Sequence, residues 1–157
     1  MENSSKKVRL SEMLPIINEK ISSGGEVSIP VTGRSMYPTL RQGSDYAVLR
    51  KAGDRLEKGD IPFYRRENGA FVLHRIVGED ENGYILCGDN QNEKEFGIKH
   101  SQVIAVLVAI ERDGKRIPID SLKLLSDNKF HSQIHFIRKT GSKIKRLFRK
   151  KNDGKKD

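Results

Sequence analysis

The sequence predicts a mainly β, antiparallel domain flanked by a short N-terminal helix and a basic C-terminal helix. Three observations carry that prediction. Between residues 26 and 119, short runs rich in Val, Ile, Leu, Phe and Tyr are separated by turn signals such as Asn68-Gly69 and Asp113-Gly114, the pattern of hairpin-linked strands. Before them, Leu10, Met13, Leu14, Ile17 and Ile21 recur at helical spacing. After Asp120 a helical period returns among dense Lys and Arg.

Taken in order, the first helix is expected over residues 8–22, with Pro15 either kinking it or delaying its start. Ser22-Ser23-Gly24-Gly25 closes it. Strands are expected near 26–31, 45–51, 61–66, 70–78, 83–88, 102–112 and 115–119. Glu67-Asn68-Gly69, Asp80-Glu81-Asn82-Gly83 and Asp113-Gly114 join neighbouring strands. Pro62 suggests an edge position or a bulge, because proline cannot donate to a ladder. Val103–Ile110 is the longest fully apolar run. Eight residues fall far short of the ~20 a spanning helix needs, and the β-branched content fits a strand buried on both faces. The expected organisation is a helical segment 1–25, a β-rich domain 26–120 and a basic helix and tail 121–157.

Composition sets the outer bounds. The chain has 157 residues, 35% hydrophobic, with one cysteine and no tryptophan. That is one domain with appendages, able to bury a core, and a lone Cys forbids an intramolecular disulfide framework. The net charge of +9 is unevenly placed. Residues 1–128 hold 19 Lys+Arg against 19 Asp+Glu, and residues 129–157 hold 11 against 2. A neutral body with a basic tail argues against reading the whole chain as a nucleic-acid binder. The N-terminus has no apolar h-region, so a cytoplasmic start is expected.

Four segments could carry chemistry. Gly33-Arg34-Ser35-Met36-Tyr37-Pro38-Thr39-Leu40 follows a strand. A glycine-permitted turn there can present the Ser35 hydroxyl as a nucleophile, with nearby backbone N–H groups free for an oxyanion. By itself the segment also reads as a surface loop. Glu57-Lys58-Gly59-Asp60-Ile61 reads as a structural turn. In Phe71-Val72-Leu73-His74-Arg75-Ile76-Val77-Gly78, period-two alternation puts His74 between Val72 and Ile76 on one face. There it is either a satisfied core histidine or a shielded general base. Cys87-Gly88-Asp89-Asn90 ends the following strand. Its Gly-Asp-Asn is ordinary turn chemistry, or Asp89 is a carboxylate supporting His74. Cys87, with no basic neighbour in sequence, reads as structural.

The ordered set Ser-Met-x-Pro-Thr-Leu, Lys-Gly-Asp-Ile, His-Arg-Ile-Val-Gly and Gly-Asp-Asn resembles the signal peptidase I group of the S24/S26 serine peptidase superfamily. The resemblance spans roughly residues 27–112. It implies a coiled antiparallel β-sheet domain of the LexA/signal peptidase type and a serine endopeptidase acting on protein, leader or signal-type peptides. Catalytic roles then fall on Ser35 as nucleophile, His74 as base and Asp89 as its support. Gly33, Met36 and Pro38 become candidate substrate-binding residues. Where a further acidic residue follows in the family, Glu93 is the nearest match. The base position resembles the archaeal and endoplasmic-reticulum type, which uses histidine in place of lysine. A lysine of ordinary pKa ~10.4 must be desolvated before it accepts a proton, whereas histidine at ~6.5 is mostly neutral at pH 7. No cofactor is implied. Alternative readings are a non-catalytic peptide-binding or membrane-surface scaffold, and LexA-like self-cleavage.

In the tail, Phe130, Ile134, Ile137, Ile144 and Phe148 form one helical stripe among basic residues. Such a helix either docks on an anionic membrane surface or packs on the body or on a partner. A peripheral place on the inner face of the membrane follows from the first option. His131 and His135 stand at i, i+4 without a third ligand, so no metal is expected. No nucleic-acid partner is expected.

Overall fold

The structure, a computed structural model, describes residues 10–120, with side chains from Glu12 onward. The predicted basic helix at 121–157 and the His131/His135 pair lie outside the described residues, as do residues 8 and 9 of the predicted first helix. The chain divides into two units, Met1–Ser121 and Leu122–Asp157, and the described residues belong to the first.

Helix α1 runs Leu10–Ser22 and passes through Pro15 without ending. Ile17 and Ile21, one turn apart, are buried while Ile16 is exposed, so the periodic stripe packs inward. Each buried Ile contributes about 1.5–3 kcal/mol relative to exposure. Gly24, at a φ of 83°, turns the chain out of the helix, a left-handed conformation that suits glycine at a helix C-terminus.

The described strands are all antiparallel, in two sheets. The larger sheet contains β1 (Glu26–Pro30), β2 (Asp45–Arg50), β3 (Pro62–Arg65), β4 (Phe71–Leu73), β8 (Val103–Arg112) and β9 (Lys115–Pro118), in the order β1-β2-β8-β3-β4 with β9 also on β8. The smaller contains β5 (Arg75–Asp80), β6 (Gly83–Cys87) and β7 (Lys94–Ile98), in sequence order. The protein is therefore mainly β with one described helix near its N-terminus. Among the described residues, no helix is long and apolar enough to cross a membrane.

The apolar run Val103–Ile110 is the central strand. Along β8, β2 pairs with Val106–Arg112, while β3 takes Val103–Val106 and β9 takes Ala109–Arg112. Flanked by strands and covered on both faces, Ala105, Leu107, Ala109 and Ile110 are almost wholly buried, which is why this segment lacks polar alternation. Asp113 and Gly114, at φ 51° and 71°, form the tight β8–β9 turn that the Asp-Gly pair predicts.

Of the strand expectations, the one about Pro62 holds locally and the one about 70–78 is corrected. β3 as a whole lies between β4 and β8, but Pro62 itself pairs only with Val106 of β8, and pairing with β4 begins at Phe63. As the first residue of β3, Pro62 costs little in ladder bonds, and a register shift follows at Phe63/Tyr64. The predicted strand 70–78 is two strands. β4 belongs to the larger sheet and β5 to the smaller, with His74 the single residue between them. β7 and a 3-10 turn at His100–Gln102 were not predicted.

Tyr64, Ile76, Tyr84, Leu86, Ile98 and Val106 pack into one cluster drawn from both sheets. His74 sits at the seam this cluster closes.

Candidate active site

The serine loop is held from both ends. Gly33 takes φ 82°, and the Tyr37–Pro38 peptide is cis. Met36 and Leu40 are buried and anchor the loop, Ser35 is half-buried and Tyr37 is 53% exposed. The Gly88–Asn90 turn clasps the loop from the other side: Asn90 N–H donates to the Ser35 carbonyl at 2.7 Å, and Asn90 Nδ2 donates to the Arg34 carbonyl at 3.0 Å. Gly88 is glycine for a steric reason. A Cβ there would lie 2.7 Å from the Ser35 carbonyl oxygen and 2.6 Å from Gln91 Oε1, both far inside contact distance.

Asp89 ties the same loop to the seam. Arg75 grips it through two bonds, Nε to Oδ1 and Nη2 to Oδ2, both 2.8 Å, and the Thr39 hydroxyl donates to Oδ2. Arg75 Nη1 donates to the Gly59 carbonyl at 3.0 Å. Gly59 N–H and Ile76 N–H in turn bond the Ile76 and Asp60 carbonyls. Lys58-Gly59-Asp60 is thus a structural turn pinned to β5. All four sequence segments meet around Arg75 and Asp89.

Asp89 is therefore not the hydrogen-bonding partner of His74, contrary to expectation. Its hydrogen bonds go to Arg75 and Thr39. Glu93 is exposed. The carboxylate at His74 is Glu95 on β7, whose Oε1 lies 2.8 Å from His74 Nδ1. Arg66 bonds the same carboxylate at both oxygens, and the Tyr64 hydroxyl donates to Oε1 at 2.9 Å. Sequence reasoning missed Glu95 because it missed β7.

The electrostatics assign the protons. Burial pushes the Glu95 carboxyl upward, but hydrogen bonds from Arg66 and Tyr64 and the Arg66 charge overcome it, leaving Glu95 below its ordinary range. An ionised Glu95 can only accept, so His74 Nδ1 carries the hydrogen and Nε2 keeps its lone pair. For His74 itself, burial outweighs the attraction of Glu95, so its pKa falls below the ordinary 6.5. The imidazole is neutral at pH 7. Tyr64 is pushed well up, first by burial and then by the Glu95 charge, and remains a donor.

Ser35 and His74 line one cleft of about 380 Å³. Gly33 and Met36 share it, with Ile29, Val31, Phe63 and Phe71 as apolar wall and Arg66 as its charged member. Pro38 is not among the lining residues. No hydrogen bond joins Ser35 Oγ to His74 among the described residues. Cys87 is buried, its thiol directed at backbone carbonyls. Among the described residues, no group of three or more His, Cys, Asp or Glu side chains could hold a metal ion.

No protein-family model, curated protein or solved structure matches this chain.

Proposed function

We propose that this protein is a serine endopeptidase of the signal peptidase and LexA type, with Ser35 as nucleophile and His74 as general base. The observation that carries the reading is a shared cleft: Ser35 and a neutral His74 line it together, and an ionised carboxylate fixes the tautomer of the imidazole. In the reaction, Ser35 Oγ attacks the substrate carbonyl carbon and His74 Nε2 takes the hydroxyl proton. Glu95 stabilises the imidazolium that results. The developing oxyanion accepts from the backbone N–H groups of Ser35 and Met36, which have no acceptor among the described residues. His74 then gives its proton to the departing amine, and water hydrolyses the acyl-serine by the same proton path.

Asp89 acts as a brace. It holds Thr39, in the serine loop, against Arg75, the residue after the base. The apolar walls suit an extended peptide with small side chains at the cleavage point. The same reading has the enzyme in the cytoplasm, with its basic C-terminal segment drawn to an anionic membrane surface.

Digesting a peptide library with wild type and with Ser35→Ala tests the proposal. Cleavage after small residues, lost in Ser35→Ala, supports it, and a fully inert wild type sinks it. The missing Ser35–His74 bond favours a second reading, a peptide-binding scaffold without chemistry. Catalytic hydrogen bonds are often long before substrate arrives. Retention of library peptides without cleavage would favour the scaffold.

A further inference from the structure

Burial alone does not fix the Glu95 carboxylate, whose side chain is 24% exposed. Two neighbours remove that freedom. The Arg66 guanidinium spans the carboxylate, Nε to Oε2 at 2.7 Å and Nη2 to Oε1 at 2.5 Å. The Tyr64 hydroxyl, on a fully buried ring, donates to Oε1 at 2.9 Å and lies 3.4 Å from His74 Nδ1. Oε1 is thus the oxygen shared by Arg66, Tyr64 and His74. A planar fork meeting a carboxylate at two points fixes orientation as well as charge.

We propose that Arg66 and Tyr64 are positioning residues for the base, holding Glu95 so that one oxygen meets His74 Nδ1 while Arg66 offsets part of its charge. This rests on the reading of His74 as a general base. The offset matters for proton affinity. An unopposed carboxylate at 2.8 Å would favour imidazolium and remove the free base near neutral pH. Arg66 works against it, and burial works in the same direction as Arg66.

The groups facing His74 come from several elements. Tyr64 lies on β3, Arg66 follows that strand and Glu95 is on β7. Asp89, in the turn after β6, attracts a proton to His74 from a distance and is itself paired with Arg75, the next residue of the His74 segment. Arg66 is the cation bonded to the carboxylate that touches the ring.

The test is an NMR titration of the His74 ring in wild type, Arg66→Met, Arg66→Lys and Tyr64→Phe. Removing the Arg66 cation should raise the proton affinity of His74 several-fold. Arg66→Lys keeps the charge without the fork and should titrate nearer to wild type. Tyr64→Phe removes one donor from Oε1 and should shift His74 in the same direction, by less. In peptide cleavage, Arg66→Met should lose more activity at pH 6 than at pH 8. A folded Arg66→Met whose His74 titrates like wild type overturns the proposal. The titration needs no turnover, so it stands apart from the peptidase reading. An inactive enzyme with the shift refutes only the chemistry, and an active one without it refutes only the positioning.

Discussion

Asp89 and Glu95 both lie near His74, and each is gripped by an arginine in two-point contact. Their surroundings differ. The Asp89 side chain is 7% exposed and its second contact, Thr39, comes from the serine loop. Glu95 is 24% exposed, and its Oε1 is left within reach of the His74 ring. The first carboxylate joins chain segments, and the second orients a side chain. Proximity of a carboxylate to a histidine does not decide its role. What decides it is geometry: Glu95 Oε1, already bonded by Arg66 and Tyr64, also lies 2.8 Å from the His74 ring, whereas the donors on Asp89 come from Arg75 and Thr39.

Substituting the two carboxylates should therefore break the molecule in different ways. The largest expected effect is on catalysis, from Glu95→Gln. A glutamine can offer its NH2 to Nδ1 and favour the wrong tautomer, so cleavage should fall by about 10³–10⁴-fold, measured as kcat/KM on a peptide substrate. A loss below tenfold would return Glu95 to a structural role. Asp89→Asn should instead act on stability. It leaves the buried Arg75 without its counter-charge, a change that typically costs about 3–5 kcal/mol, to be read from denaturant unfolding. Gly88→Ala comes next, at about 1–3 kcal/mol, because its Cβ must displace the Ser35 carbonyl or Gln91. It should also lower cleavage by moving the serine loop.

The comparison sharpens with pH. Because burial holds His74 below 6.5, its imidazole stays neutral to lower pH than an ordinary histidine, and under the proposed mechanism the acid limb of kcat/KM should lie below 6.5. Glu95→Gln removes an anion that favours imidazolium, so it should move that limb lower still. Stability has the same sign. Below pH 6.5 the unfolded chain binds a proton at His74 more readily than the folded one, so stability falls with pH until His74 protonates in the folded state too. At more acid pH, Glu95 and Asp45 add to the loss. Their folded-state values lie below the ordinary 4.5 and 3.8, since arginine bonds outweigh burial at both. An acid limb above 6.5 would contradict this picture.

Much of the fold was legible because the signals are local. The run Val103–Ile110 announces a central strand, and Asp113-Gly114 announces the turn that follows it. The break at His74 was not legible. Period-two alternation continues from Val72 through Ile76 whether the strand stays in one sheet or passes to another, and only the pairing of β4 and β5 with different partners tells them apart. β7 was hidden by composition: Lys94, Glu95 and Gly97 in a five-residue strand carry little β-propensity. With β7 unseen, Glu95 could not be set against His74, and Asp89 and Glu93 stood in for it. Ser35, His74 and Asp89 were legible as positions, while the bond from each to its neighbours depends on tertiary contacts between distant segments.

The most direct test of the account is labelling with a serine-directed acylating probe at pH 7, comparing wild type with Ser35→Ala. A covalent adduct is expected on Ser35 in wild type and none in the variant. A folded wild type that takes no label, or a Ser35→Ala variant that keeps it, would contradict the claim that Ser35 is the nucleophile.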